Sequence, residues 1–240
     1  MLGLAVTRAQ RYSGAMKLTA EPLTIRISDD QSVSGLLLAP ATATTCFVFA
    51  HGAGAGMKHA FMATFAEGLA ERGVATLRYQ VPYMENGIKR PDAPKVAHSA
   101  VRAATAEAVR RFPRLRLIAG GKSFGARMTS QAQAVEPLPG VRGLAFVGFP
   151  LHPAGKPAVD RADHLKQVDI PMLFLQGTRD ELADLDLLQP VVKELGSLAT
   201  LALFEDADHS FHVRARSGQT DAGVMSAMLD TVVECAAKRT

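Results

Sequence analysis

The chain has 240 residues, of which 48% are hydrophobic, enough to bury a substantial core in one large domain or two small ones. No stretch approaches the roughly eighteen consecutive apolar residues that a membrane-spanning helix needs, so we expect no membrane partner. The formal net charge of +4 comes largely from Arg8, Arg11 and Lys17, and the rest of the chain is nearly neutral, without basic runs or tryptophan, which argues against a nucleic-acid partner.

Residues 1–20 are basic and have a poor apolar core, so they predict a flexible extension rather than a targeting segment. A start at Met16 would lead directly into the first strand-like stretch. No linker, repeat or low-complexity tract divides residues 21–240, which predict a single domain. Cys46 and Cys235 lie among apolar neighbours far apart in the chain, which predicts buried thiols in the reducing cytoplasm rather than a disulfide or a metal site.

The first predicted elements are two strands at 23–27 and 32–40, joined by a turn at 29–31 as an antiparallel hairpin. After them, continuous apolar runs recur, which is typical of parallel strands covered on both faces. These runs are 46–50, 74–79, 115–120, 143–149, 172–177 and 199–204.

Helical spacing occupies the intervals between these runs. Phe61, Phe65 and Leu69 recur on one face of a helix that ends before Gly73. Similar stripes are formed by Val101, Thr105, Ala108 and Phe112, by Val191, Val192 and Leu195, and by Met225, Met228, Val232 and Cys235. The pattern predicts an α/β fold with about eight strands in a mostly parallel sheet and helices on both faces. Only 151–169 are available for a cap, so we expect no large lid.

The segment Leu117–Arg127, LIAGGKSFGAR, admits two interpretations. GKS could end a phosphate-binding loop, GxxxxGK[ST], whereas residues 121–125, GKSFG, match GxSxG, the turn that presents a nucleophilic serine. The first glycine of a phosphate loop would stand where the apolar run has Arg116. Because the strand continues up to the turn and a helical pattern follows it, the sequence favours a nucleophile elbow at Ser123.

A serine nucleophile needs a histidine base and a carboxylate that orients the histidine. Asp180 comes just after the run MLFLQG, and His209 comes just after the next run, LALF. Each residue therefore follows its own strand, and the order Ser123, Asp180, His209 predicts a catalytic triad. The competing residues are Glu181 and Asp184 for the acid and His212 for the base.

After about residue 20, the chain resembles the α/β-hydrolase superfamily over nearly its whole length. The motifs HGAGAG, GGKSFGAR, FPLHPAGKP, LFLQGTRDELAD and DADHSFHV are similar to those of a small branch without a large lid. That branch includes dienelactone-hydrolase-like proteins and testis-expressed-protein type domains. The resemblance implies an eight-stranded hydrolase core with Ser123, Asp180 and His209 as its triad. It brings no assigned substrate, and dienelactone hydrolases carry a cysteine in place of the serine.

Acyl transfer also requires hydrogen-bond donors for the oxyanion. We expect these donors to be the backbone N–H of Phe124, which follows the nucleophile, and that of Ala53, in the loop HGAGAGM. Gly54 and Met57 of this loop are expected to contact substrate, and His51 is expected to anchor the loop. The glycines at 52, 54 and 56 do not match the GxGxxG spacing of a dinucleotide site.

Further residues are predicted in loops at the same sheet edge as the triad. They are Tyr83, Lys89, Arg90, Lys122 and Arg179. Two interpretations stay open for them, solvated surface charge or a positive rim that binds an anionic ester. Tyr83, Lys122 and Arg179 are the ones we expect to contact substrate. His152 and His164 have no compact set of further ligands around them in the sequence, so they predict no metal site.

These residues together predict a cytoplasmic serine hydrolase that cleaves an ester or thioester of a small molecule through an acyl-enzyme, without a cofactor. The alternative is a non-catalytic interaction domain that retains the hydrolase architecture. Reaction of Ser123 with a fluorophosphonate probe separates the two. No pattern in the sequence indicates an oligomeric state.

Overall fold

The computed structural model describes residues 18–239, so the predicted extension of residues 1–20 lies outside the described residues up to position 17. Eight strands of the described part form one sheet. Their bounds are Glu21–Arg26 (β1), Ser32–Leu38 (β2), Thr45–Ala50 (β3), Val74–Tyr79 (β4), Arg116–Lys122 (β5), Val141–Val147 (β6), Met172–Gly177 (β7) and Ala199–Phe204 (β8).

The sheet is antiparallel at one edge and parallel elsewhere. Its order is β1-β2-β4-β3-β5-β6-β7-β8, with β2 antiparallel to both β1 and β4 and every other neighbouring pair parallel. Strands β3, β4 and β7 are buried at every position, which explains why their sequences are continuous apolar runs rather than alternating ones. The predicted α/β fold, with eight strands in a mostly parallel sheet, is confirmed.

Helices connect the strands and cover both faces of the sheet. Their bounds are Ala60–Glu71 (α1), Pro82–Glu85 (α2), Pro94–Arg111 (α3), Phe124–Val135 (α4), Leu185–Glu194 (α5) and Asp221–Arg239 (α6). Helices α1 and α6 enclose one core layer, and α3, α4 and α5 enclose the other. Cys46 lies in the second of these layers and Cys235 packs against the first, so the two thiols are on opposite sides of the sheet.

Five of the eight strands differ from their predicted bounds by one or more residues, and two of these differences lie next to the candidate site. Strand β5 continues to Lys122, because this residue still pairs with Val147 of β6. Strand β6 ends at Val147 instead of 149, because Gly148 adopts a φ of +67° that breaks the extended backbone.

Between β6 and β7 the chain forms a short 3₁₀ helix, Asp160–Gln167, that packs on α4. This connection does not cover the sheet edge as a large lid would, as predicted. Within residues 18–239, no helix combines the length and apolar character needed to cross a membrane.

Candidate active site

Ser123 occupies the turn where β5 ends and α4 begins. Its backbone has a φ of +52° and a ψ of −112°, a conformation that a residue with a side chain adopts only under strain. Gly121 and Gly125 flank it and pack against the end of β3. A Cβ atom at either glycine would lie 2.5 or 2.6 Å from the carbonyl oxygen of Ala50. The turn therefore has the strand-to-helix geometry of a nucleophile elbow, and it requires both glycines.

We expect Gly121→Ala to lower the free energy of unfolding by about 2 kcal/mol, because its methyl group overlaps the backbone of β3. Gly223→Ala is the matched control. Gly223 lies in α6, where the nearest atom to an added Cβ is the Thr220 Oγ1 at 3.2 Å. Alanine there changes stability little or raises it by up to about 1 kcal/mol. Urea unfolding of both variants measures the difference, and equal stabilities would contradict the steric role of Gly121.

The structure brings Ser123, His209 and Asp180 together at the carboxyl edge of the sheet. The Oγ of Ser123 is 2.8 Å from Nε2 of His209. Nδ1 of the same ring is 2.7 Å from Oδ2 of Asp180. The three side chains form one hydrogen-bonded chain in which the hydroxyl donates to the imidazole and the imidazole donates to the carboxylate. This arrangement can transfer a proton away from the hydroxyl as it attacks.

The carboxylate of Asp180 is held by donors on all sides. Its side chain has 0% exposed surface, and besides His209 it accepts hydrogen bonds from the Gln176 amide and the Leu182 N–H. The other end of the Gln176 amide accepts the N–H of Phe149, which fixes the orientation of the amide. Gln176 was not among the predicted site residues. The sequence feature that could have pointed to Gln176 is its position as a single polar residue near the end of the apolar run MLFLQG.

A cavity of about 410 Å³ opens over Ser123. It is lined by Gly52, Ala53, Ala55, His59, Phe61, Met62, Lys122, Ser123, Leu182, His209 and Ser210. The lining is mainly apolar, with the hydroxyl of Ser123, the imidazole of His209 and the ammonium of Lys122 among its polar groups. Phe61 and Met62 belong to α1, whose apolar stripe predicted only a core contact, and no pattern in the sequence pointed to Leu182.

The two predicted oxyanion donors lie next to the serine. Phe124 is the first residue of α4, so its N–H has no acceptor within the helix, and Ala53 lines the cavity beside Ser123. Neither N–H donates a hydrogen bond to another group between residues 18 and 239. Gly52 brings the loop close, since a Cβ on it would lie 3.9 Å from the Cβ of Ser123. Both donors are therefore available to a ligand.

Gly54, Met57 and Tyr83, which were expected to contact substrate, are not among the residues that line the cavity. Tyr83 is buried, and its hydroxyl accepts the N–H of Gly54 at 2.9 Å. Met57 is also buried, and its N–H donates to the side chain of Gln80. The structure therefore does not place these three residues in contact with a substrate in the cavity. Instead they hold the loop that carries Ala53.

His51 occupies the anchoring position expected for it. Its Nδ1 donates to the carbonyl of Gly52 at 2.8 Å, and its Nε2 accepts the N–H of Val81 at 3.1 Å. Burial lowers the pKa of His51, which keeps the ring in the neutral form that can both donate and accept. The loop after β3 is thus tied to the segment after β4.

The residues proposed as a positive rim do not lie together. Lys122 is partly buried inside the cavity, where its ammonium donates to the carbonyl of His209. Arg179 lies on the outer side of the Asp180 turn and donates to the carbonyl of Asp206 at 3.0 Å. The side chain of a loop residue takes its direction from local packing, which the sequence pattern did not show. Only Lys122 of the two faces the serine.

The competing acids and bases have other partners. Asp184 caps the N-terminus of α5, Glu181 is exposed, and His212 pairs with Asp221 on the surface. His152 accepts the N–H of Asp184 and so supports the turn after Asp180. These contacts leave Asp180 and His209 as the acid and imidazole nearest the serine.

A second serine–histidine pair lies under the sheet edge. The Oγ of Ser130 is 2.7 Å from Nε2 of His164. Ser130 has 0% exposed surface, in the second turn of α4, and its hydroxyl also donates to the carbonyl of Arg127. Burial, together with the charges of Arg127 and His98, lowers the pKa of His164 to about 4. The pair has no access to the cavity and is a structural contact between α4 and the 3₁₀ helix.

Comparisons with known proteins agree with this fold. The family model described as an alpha/beta hydrolase domain matches residues 43–237. The dienelactone hydrolase of Anabaena variabilis is 20% identical, with a TM-score of 0.71 over 91% of this chain and 97% of that one. A lidless α/β serine hydrolase from Xanthomonas campestris is also 20% identical, with a TM-score of 0.71 over 92% and 97%. Est1E from Butyrivibrio proteoclasticus is 16% identical, with a TM-score of 0.67 over 90% and 99%.

The family match spans most of the chain, and the alignments with the solved structures cover nearly the whole length of each of those structures. The resemblance inferred from the motifs, to lidless hydrolases of the dienelactone-hydrolase type, is thereby confirmed. The chain belongs to the α/β-hydrolase domain family.

Proposed function

We propose that the protein is a serine hydrolase that cleaves an ester or thioester of a small molecule, with Ser123 as nucleophile, His209 as base and Asp180 as the group that orients the base. The observation that carries the proposal is the continuous hydrogen-bonded chain from the hydroxyl of Ser123 to the buried carboxylate of Asp180, open to a cavity. The family match and the serine hydrolases among the similar structures support the same reaction class.

The reaction follows from the positions of these groups. Ser123 attacks the acyl carbon while Nε2 of His209 takes the hydroxyl proton, and the negative charge that develops on the carbonyl oxygen is met by the N–H groups of Phe124 and Ala53. The protonated His209 then gives its proton to the leaving alcohol or thiol. Water attacks the acyl-enzyme by the same route in reverse and releases the acid.

The cavity suits a short acyl or alcohol group rather than a long lipid chain. Its volume of about 410 Å³ lies at the lower end of the usual range for small-molecule sites, and its walls are mostly apolar. Among residues 18–239, no large lid closes over the cavity, so substrate can enter past this part of the chain without the movement of a cap. We propose that the substrate is a small molecule and that the protein acts in the cytoplasm.

A fluorophosphonate probe tests the proposal directly, because it phosphonylates a serine only where a base activates the hydroxyl. We expect wild type and Ser130→Ala to be labelled equally and Ser123→Ala not at all. Ser130 is the matched control, since it also contacts a histidine at hydrogen-bond distance. Labelling is read by intact mass and by peptide mapping. A wild type that fails to react would favour the alternative, a non-catalytic interaction domain.

A further inference from the structure

One lysine, Lys122, is among the residues that line the cavity. It directly precedes the nucleophile, Ser123. Its ammonium donates one hydrogen bond to the carbonyl of His209. Its Nζ also lies 5.8 Å from the ring centre of Phe61 and 5.2 Å from that of Phe211. The side chain is thus held at the wall of the site, beside the base, by a carbonyl dipole and two aromatic rings.

These contacts hold the positive charge without neutralising it. Carbonyl and aromatic groups are uncharged, and within residues 18–239 no carboxylate lies at ion-pair distance from the Nζ of Lys122. Asp180 attracts it from the acid turn and Asp208 from the turn after β8, but Asp180 is already occupied by its three donors. Two of the three ammonium N–H groups have no acceptor in this part of the chain.

A partly buried cation without a counter-ion has lost part of its hydration, and an anion that binds beside it offsets this loss. The rest of the lining is mostly apolar, from Ala53 and Ala55 on one side to Phe61, Met62 and Leu182 on the others. An apolar cleft with one uncompensated ammonium complements a molecule that has a hydrocarbon part and one negative group. The distance between that group and the scissile bond is set by the separation of Lys122 from Ser123, which are neighbours in the chain.

Resting on the proposed function, we propose that Lys122 is a substrate-binding residue and that the site prefers small esters with a carboxylate near the scissile bond, such as half-esters of short dicarboxylic acids. The carboxylate would pair with the ammonium of Lys122 while Ser123 attacks the ester carbonyl. Lys122 then determines specificity and takes no part in bond breaking.

The proposal has a signature in its pH dependence. Burial lowers the pKa of Lys122 to about 8, against the raising effect of Asp180 and Asp208. The ammonium is therefore present below pH 8 and is lost as the pH rises through 8. Asp180 and Asp208 are the carboxylates that act on Lys122, and its hydrogen bond to His209 goes to the backbone carbonyl, which does not titrate. The preference for an anionic ester should consequently decline above pH 8, relative to a neutral ester measured in parallel.

Matched substrate pairs test the proposal. The 4-nitrophenyl half-esters of succinate, glutarate and adipate are each compared with the same ester whose free carboxylate is methylated, and kcat/KM is measured for both. We expect wild type to prefer at least one anionic member by about tenfold, the value of a charge-assisted hydrogen bond. Lys122→Met should remove that preference, and Lys122→Arg should keep it at pH values above 8, because arginine stays charged there. Lys58→Met, an exposed lysine near the loop after β3, should leave the preference unchanged.

Binding to Ser123→Ala separates the proposal from the proposed function. Calorimetric titration with monomethyl glutarate and dimethyl glutarate needs no catalysis, and the monoanion should bind Ser123→Ala more tightly than Ser123→Ala combined with Lys122→Met. Hydrolysis of neutral esters without any charge preference would overturn the role of Lys122 and leave the hydrolase standing. Equal losses on both esters in Lys122→Met would show only a structural tether to His209 and would also overturn it. Anion binding without hydrolysis would retain the binding site and reject the hydrolase.

Discussion

Ser123→Gly is expected to be inactive and yet more stable than Ser123→Ala by about 1 kcal/mol. Both variants remove the nucleophile, so kcat/KM on a short ester should fall by about 10⁴-fold or more in each. They also lose the same hydrogen bond to His209. They differ in the backbone, because alanine must keep the strained φ of +52° and glycine adopts it freely. The relief of strain exceeds the extra freedom that glycine gives the unfolded chain.

Urea unfolding of the three proteins measures this difference, and activity on a 4-nitrophenyl ester measures the loss of catalysis. Wild-type stability provides the reference, since its serine has both the strain and the hydrogen bond. If Ser123→Gly were less stable than Ser123→Ala, the turn would store no strain. Stability gained at the cost of all activity would instead show that the fold holds this residue in an unfavourable conformation in order to present its hydroxyl.

The fold could be predicted from the sequence where burial alone decides the pattern. The predicted bounds of strands β4, β7 and β8 are the observed ones, because each apolar run ends at a residue that changes the backbone or the exposure. The errors arose where the backbone departs from what the side chains suggest. Lys122 resembles a loop residue but still pairs as a strand, and Phe149 continues an apolar run after Gly148 has already ended it.

The site was predictable in its chain order but not in its side-chain directions. Ser123, Asp180 and His209 each follow a strand, and parallel strands have their carboxyl ends at one edge of the sheet. The sequence therefore predicts that the three residues lie at the same edge. No such rule says that Arg179 points away from the cavity or that Lys122 lies against two aromatic rings. Those directions depend on α1 and the turn after β8, which the sequence alone does not place beside the elbow.

Asp180→Asn is expected to reduce kcat by about 10⁴-fold while leaving the fold intact. Every partner of the carboxylate is a donor, namely the imidazole of His209, the amide of Gln176 and the N–H of Leu182. Asparagine has nearly the same shape but offers one oxygen and one NH₂ group. If its oxygen accepts from Leu182, its NH₂ faces the NH₂ of Gln176 and the N–H of His209. The ring then changes tautomer, and a protonated Nε2 cannot take the hydroxyl proton of Ser123.

The orientation of Gln176 makes this conflict difficult to avoid, because the oxygen of its amide is already bound to the N–H of Phe149. The substitution should therefore lower kcat far more than it raises KM, since the cavity wall is unchanged. Asp184→Asn is the matched control: Asp184 caps α5 with its side chain, and asparagine caps a helix about as well as aspartate. It should keep wild-type kcat. Steady-state kinetics with a 4-nitrophenyl ester measures kcat and KM, and a melting curve for each variant checks that the fold is intact. An Asp180→Asn protein with kcat within tenfold of wild type would mean that another group orients His209.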